Sequence, residues 1–273
     1  MIELTLIWLF PVAITLSLIA MSAGVGGAIL FGPFFFLILK LPPDVSLGAA
    51  LLLEIFGLST GIISFAREKM IDFWLARLMI CFTVPAVFLG IIIKSYLDPG
   101  FLIIAFGFAM ILASLPFITK NRKILIKHPH YHEVLTKKGK ERYQLPKRLW
   151  EFFLLTALGG FLVGVLSAGL GEVNEVQFLN KLKMHSALAA GTSIFVVAIT
   201  AFLGSIIHLF SYLSHPEQLL PLLSIILFTI PGVIIGAQLG VKLTEYIQEK
   251  QKRLFLFILF SGVGLLSLGK AFL

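Results

Sequence analysis

The sequence predicts an all-α polytopic membrane protein made of two inverted five-segment repeats, with glycine-broken helices at the repeat interface. Three observations carry that prediction: the chain is too apolar for a soluble globular protein, its two hydrophobic blocks share short motifs, and its basic residues fall on alternate connections. Of the 273 residues, 58% are hydrophobic and 13% charged, and mean hydropathy is +1.00, outside the range of soluble domains. Runs of roughly 17 to 25 apolar residues, long enough to cross a bilayer, recur along nearly the whole chain.

The opening "MIELTLIWLFPVAITL" has neither a basic leader nor a small-residue cleavage site and reads as a retained first span. Hydrophobic segments follow at about 4–21, 27–39, 45–66, 73–94 and 100–118. Ten Lys/Arg between Lys120 and Arg148 then stand against Glu133 and Glu141, a local +8 equal to the charge of the whole chain. Beyond them lie segments at about 151–167, 174–181, 187–209, 217–241 and 253–270. The chain therefore divides into a first repeat (1–118), a basic loop (119–150) and a second repeat (151–273). The second segment of each block is too short to span and reads as a broken or re-entrant helix.

"SAGVGG" (22–27) returns as "SAGLGE" (167–172), "FTVPAVFLG" (82–90) as "FTIPGVIIG" (228–236), and "LASL" (112–115) as "LLSL" (265–268). Ordered matches of this kind indicate an internal repeat of about 110 residues. Five segments per block is an odd number, so the two blocks should face opposite ways, the arrangement of many secondary transporters. The positive-inside rule places the basic loop in the cytoplasm. Arg67 and Lys69 then fall inside, "SYLSHPE" (211–217) outside without Lys or Arg, and Lys181, Lys183, Lys242, Lys250, Lys252 and Arg253 on cytoplasmic connections. Lys40, Lys94 and Lys270 fall on the outer side. The expectation is a multi-pass protein of the cytoplasmic membrane with both termini outside. Anionic lipids are candidate contacts of the 120–148 stretch. A nucleic-acid partner is not expected, since the basic run sits between hydrophobic blocks.

The glycines of Ser22–Gly27 let the chain leave the helix, and backbone freed at membrane depth must be buried in protein or line a wet cavity. A helix starting near Gly26 or Ala28 would offer N–H groups to an anion; the alternative is glycines that only permit close packing. Ser22, Gly24, Gly26 and Gly27, with Ser167, Gly169, Gly171 and Asn174 in the second break, are candidate substrate-binding positions. Glu172, Asn174, Glu175 and Gln177 stand in a hydrophobic setting where charge is costly, unless the segment reaches water. Glu54 lies about 14 Å along its helix, near the bilayer centre, beside a stripe of Ala50, Gly57, Gly61 and Ser64. Desolvation disfavours a charged carboxyl, so Glu54, Glu172 and Glu175 are proton-coupling candidates; for Glu54 an interhelical hydrogen bond is the alternative. Aligning 39–54 with 180–195 sets Thr192 and Ser193 against Leu51 and Leu52. Those hydroxyls could meet an oxyanion or bond the preceding turn.

Other features call for no special chemistry. Cys81, the single cysteine, has no intrachain partner and reads as a small core residue. His128, His130 and His132 sit in the basic loop without further ligands, so no metal and no cofactor is expected. Arg77 can extend to the interface, and the 26 phenylalanines read mostly as lipid-facing bulk. No nucleophile, base and orienting acid share a readable spacing, so the chain is not expected to be an enzyme.

The segments "SAGVGGAILFGP", "EIFGLSTGIISFAREKMIDF", "SAGLGEVNEVQFL", "AAGTSIFVVAITAF" and "FTIPGVIIGAQLG" resemble the sulfite exporter TauE/SafE family, also called the transmembrane uncoupled permease family. The resemblance covers both hydrophobic blocks and implies a permease of the cytoplasmic membrane for small sulfur-containing anions such as sulfite or organosulfonates. Its motif positions here are Ser22, Gly24, Gly26 and Gly27, then Gly169 and Gly171, then Thr192 and Ser193. Glu172 stands where the family motif continues with glycine, and Leu51 and Leu52 where many members carry Thr-Ser. Buried carboxylates repel an anion, and protonation when the anion binds would remove that repulsion. The reading is therefore a secondary transporter of a small sulfur-containing or organic anion, with proton coupling as the candidate drive. A cation or metal carrier using Glu54, Glu172, Asn174 and Glu175 is the alternative within transport; a membrane enzyme or assembly factor is the alternative outside it.

Overall fold

The computed structural model describes residues 4–118, 131–137, 139–146, 148–213, 216–244 and 246–271. A short 3₁₀ turn, Leu4–Trp8, leads into α1 (Leu9–Ala23), α2 (Ala28–Pro33) with a π-helical extension Phe34–Ile38, α3 (Pro43–Arg67), α4 (Phe73–Lys94) and α5 (Pro99–Ile118). A hairpin of β1 (Tyr131–Thr136) and β2 (Gly139–Gln144) follows. The second half repeats the order: α6 (Leu149–Leu166), α7 (Leu170–Val176) with a π-helical extension Gln177–Leu182, α8 (Ser186–Leu213), α9 (Pro216–Thr244) and α10 (Glu249–Ala271). Among the described residues, eight helices are long and apolar enough to cross a bilayer. The protein is an all-α polytopic membrane protein with one small hairpin attached.

Glycines set how the helices meet. Cβ atoms added at Gly232, Gly236 and Gly240 of α9 would fall within 2.7 Å of Phe10 O, Ile14 O and Leu18 O of α1, so α1 and α9 run parallel in near-backbone contact. The same holds for α4 and α6, where Gly160 abuts Thr83 and Gly164 abuts Val87. Small residues allow such approach where apolar burial alone cannot drive association in lipid. Helices at corresponding places in the two halves run antiparallel where they touch. Leu51 of α3 meets Gly204 of α8 while Phe65 meets Gly191; Gly107 of α5 meets Leu268 of α10 while Phe117 packs edge-on against Phe260.

α1 and α2 form a pair that folds back on itself. Gly57 and Gly61 of α3 lie beside Ser17 and Met21 of α1, so the two helices run parallel. α2 then runs the other way, Gly26 lying by Glu54 and Gly32 by Leu47. α6 and the α7 segment fold back likewise, Leu170 returning onto Gly159 and Phe178 onto Phe152. The tips of the two folded pairs meet inside the bundle, where Gly171 faces Gly26.

Several expectations change. The second short helix starts at Leu170 and not near 174, because Gly169, at φ +122°, turns the chain there. The basic stretch is not all loop: β1 pairs with β2 from Tyr131↔Gln144 to Thr136↔Gly139. His128 and His130 lie outside the described residues; His132 stacks on Trp74 at 4.7 Å and approaches Asp72 to 3.3 Å. Cys81, expected as a core residue, is exposed, as is Phe82 beside it. Lipid and core are both apolar, so hydrophobicity does not sort these side chains between them.

The hairpin is held by Asp72. Its Oδ1 caps α4 by accepting from Trp74 N (3.0 Å) and Leu75 N (3.1 Å), and its Oδ2 accepts from the buried Tyr143 hydroxyl at 2.5 Å. Burial and the neighbouring Asp72 carboxylate raise the Tyr143 phenol above its ordinary range. Such a group stabilises docking fully below its unfolded value and loses that contribution as pH rises. Tyr143→Phe removes a hydrogen bond to a charged acceptor, roughly 1.5 to 3 kcal/mol. Trypsin cleavage at Lys137, Lys140 or Arg142 in the purified variant should accelerate accordingly, while cleavage at wild-type rate would show that the bond does not hold the hairpin.

The glycine contacts make a second prediction. Gly164→Ala puts a Cβ 2.3 Å from Val87 O, and overpacking of this kind costs about 1 to 3 kcal/mol. Gly262→Ala meets nothing within 4 Å and should gain the roughly 0.5 to 1 kcal/mol that alanine has over glycine in a helix. Thermal unfolding in detergent should lower Tm for the first and hold or raise it for the second.

Candidate functional site

α1 ends in a Schellman cap: Gly24, at φ +78°, donates N–H to Met21 O at 3.1 Å, and Val25 N–H reaches Ala20 O at 3.2 Å. α6 ends at Ser167, itself left-handed at φ +58°, whose N–H reaches Val163 O at 2.8 Å. The two stretches that follow, 24–27 and 167–169, touch. A Cβ on Gly171 would lie 3.2 Å from both Gly26 N and Val25 Cα, and one on Gly24 would lie 2.3 Å from Glu175 Oε1 and 2.7 Å from the Ala190 Cβ. The tips are in close backbone contact, and at Gly24 an added Cβ would clash outright.

Carboxylates from three places converge on these tips. Glu54, midway along α3, accepts from Ala28 N at 3.4 Å. Glu172 folds back to accept from Gly169 N at 2.8 Å. Glu175, one turn further along α7, pairs with Lys252 of α10 at 3.0 Å, both side chains being 0% exposed. The N–H at Ala28 that the sequence offers to an anionic ligand is thus held by the chain's own Glu54. Glu54 and Glu172 are 4% and 2% exposed, so the alternative of solvated glutamates at this break does not describe the fold. Among the described residues no three of His, Cys, Asp or Glu gather as a metal cage.

Two small cavities flank Glu54. One is lined by Gly26, Glu54, Ser167, Gly169, Glu172 and Val197; the other, on the side of α1, by Ser17, Met21, Gly27, Glu54, Gly57 and Val233. Each leaves about 10 Å³ to the centre of a water molecule, room for about one water. Neither cavity has room for a ligand of several heavy atoms.

The other expected positions divide. Asn174 is fully buried with neither amide atom hydrogen-bonded, and the Ser167 and Ser193 hydroxyls are likewise buried without partners. Ser193 shares a helical face with Ala190, which abuts Gly24, and Val197, which lines the cavity. Ser22 bonds its own helix at Ile19 O, 3.0 Å. Thr192 leaves the site: its Oγ1 accepts from Asp72 N at 3.0 Å, at the α3–α4 corner. Lys252 is the residue that sequence reasoning assigned elsewhere, to a cytoplasmic connection. It sits instead in the first turn of α10, facing the core. The available signal was Phe255 and Leu256 directly behind it at helical spacing.

Comparison with known proteins places this architecture. The family model of the sulfite exporter TauE/SafE proteins matches residues 9–266. The chain belongs to the TauE/SafE family. Two Bacillus subtilis (strain 168) proteins are similar to this member over most of their length. "Probable membrane transporter protein YunE" is 23% identical over 254 residues, 88% of this chain and 90% of its own. "Probable membrane transporter protein YjnA" is 25% identical over 227 residues, 80% of this chain and 83% of its own. No solved structure matches. Both relatives' names, like the family's, describe membrane transport, and this TauE/SafE member is a membrane permease.

The contact of Gly26 with Glu54 is testable by a double-mutant cycle. A Cβ at Gly26 would fall 1.6 Å from Glu54 Oε1, so Gly26→Ala should cost about 1 to 3 kcal/mol in thermal unfolding. In a Glu54→Ala background most of that cost should vanish, giving a coupling energy of about 0.5 to 3 kcal/mol. Additive effects would show that the two residues do not touch.

Proposed function

We propose that the protein is a secondary transporter that moves a small sulfur-containing or organic anion, such as sulfite or a sulfonate, across the cytoplasmic membrane, coupled to protons. The observation that carries the reading is the meeting of two glycine-broken tips around Glu54, with helix N–H groups held by carboxylates in the place an oxyanion would take. A carboxylate and a sulfonate present the same chemistry to an N–H group: negative oxygens accepting a charge-assisted hydrogen bond. Protonation of Glu54 weakens its hold on Ala28 N–H and removes the charge that would repel the substrate.

The two halves act as inverted repeats about this site, with the 119–150 loop cytoplasmic and both termini outside. The α1–α2 pair then enters from outside and the α6–α7 pair from the cytoplasm. Neither α2 nor α7 crosses alone, and exchange of conformation between the halves would open the site to one side and then the other. The antiparallel contacts of α3 with α8 and of α5 with α10 support this arrangement. Anionic lipids would meet the 120–148 stretch. The cation alternative is less well supported, because each buried carboxylate already faces an N–H group or an ammonium.

Flux in liposomes containing only the purified protein tests the reading. Sulfite or methanesulfonate should accumulate when a pH gradient is imposed, and Glu54→Gln should keep exchange while responding less to the gradient. Anion flux indifferent to both the gradient and the substitution would sink the coupling. Stabilisation by cations and not by these anions would sink the substrate class.

A further inference from the structure

A fully buried lysine is expensive unless it is paired, and Lys252 is 0% exposed. Its Nζ lies 3.0 Å from Glu175 Oε2 and donates to Ser186 O at 3.5 Å. The other carboxylate oxygen, Glu175 Oε1, is buried, has no hydrogen-bond partner, and presses against the first tip at Gly24. A buried carboxylate with one oxygen unsatisfied is a poor purely structural element, since replacement of such pairs by apolar groups is often neutral or stabilising. The same oxygen is placed to receive a proton without disturbing any existing hydrogen bond.

We propose that Lys252 is the group that pairs with the transported anion, and that Glu175 frees it by taking up a proton. This rests on the reading of the protein as an anion transporter and adds the residue that carries the positive charge. While ionised, the Glu175–Lys252 pair carries no net charge. One proton added to Glu175 Oε1 leaves one positive charge at Lys252, and one monovalent anion neutralises it. Release reverses the step: Glu175 gives up its proton, the carboxylate recaptures Lys252, and the anion leaves. Through this pair one proton moves with one anion, beside any proton that Glu54 carries, and no other reactant is needed.

The charged groups around the pair are few. Glu172 stands one turn back on α7, and Glu54 faces the same tip from α3. Arg253, next to Lys252, donates from Nη2 to Leu179 O at 3.4 Å. Lys181, Lys242 and Lys250 are exposed, and His185, before α8, is half exposed and lies 3.8 Å from Glu141. Among the described residues Lys252 is thus the fully buried cation, paired with the carboxylate that touches Gly24.

Thermal stabilisation of the detergent-purified protein by methanesulfonate, whose charge is constant over the range, measured between pH 5 and 8, tests the proposal, with sulfite as second probe. Wild-type protein should bind more tightly as pH falls, by up to about tenfold per pH unit where Glu175 titrates. Glu175→Gln should bind at every pH with a shallower pH dependence than wild type. Glu175→Gln/Lys252→Met, a neutral pair that avoids leaving one charge buried alone, should fold but bind roughly 10- to 100-fold more weakly than Glu175→Gln. Wild-type binding in the double variant would make the pair structural and overturn the proposal. Full pH dependence retained in Glu175→Gln would overturn the role of Glu175. Wild-type protein that binds neither probe would remove the anion reading together with this one, an outcome distinct from both.

Discussion

A peptide group released from a helix inside hydrocarbon costs several kcal/mol unless something polar meets it, and this protein releases such groups twice, at 24–27 and 167–169. Much of the interior answers that cost. Each break is closed first by its own backbone, through the Schellman bonds at Gly24 and the return of Ser167 N–H to Val163. A glutamate then takes an N–H that begins the next helix, Glu54 at Ala28 and Glu172 at Gly169. Those carboxylates are buried because the freed N–H groups are there, and the breaks are tolerated because the carboxylates are there.

Close packing makes the arrangement possible and also limits it. Glu54 reaches the first tip only because Gly26 leaves room. The tips reach each other only because Gly24 and Gly171 lack side chains, and α1 reaches α9 through a row of three glycines. The space that remains is water-sized. Any larger ligand therefore couples its entry to movement of a hairpin tip, and movement of a tip disturbs a carboxylate. That connection between space and charge is what the proposed proton-linked transport would draw on.

Much of the fold was legible in the sequence for a simple reason: hydrophobic length and glycine density are local properties. The ten helical segments, the short second member of each half and the pairing of the two glycine breaks follow from reading along the chain. Glu54 was legible too, because small residues at helical spacing around a carboxyl turn that face toward other helices and away from lipid. What failed was the placing of a single apolar side chain that no small-residue face marks. Cys81, expected in the core, is exposed, since lipid and protein interior select the same residue types. The β1–β2 hairpin was hidden because its pairing, seated on Asp72 through Tyr143, lies within a run of charge that reads as loop.

Residue type and local spacing are enough to establish that the chain spans a membrane repeatedly, that it breaks two helices with glycine, and that it carries carboxyls at those breaks. Which groups meet is a matter of tertiary packing. Folding brings Lys252 from near the end of the chain onto Glu175, sends Thr192 to the α3–α4 corner and not to the cavity, and sets Glu54 against Ala28 N–H. Ion pairs and caps between helices depend on the relative rotation and depth of elements far apart in sequence, which packing at the glycines fixes and local pattern does not encode.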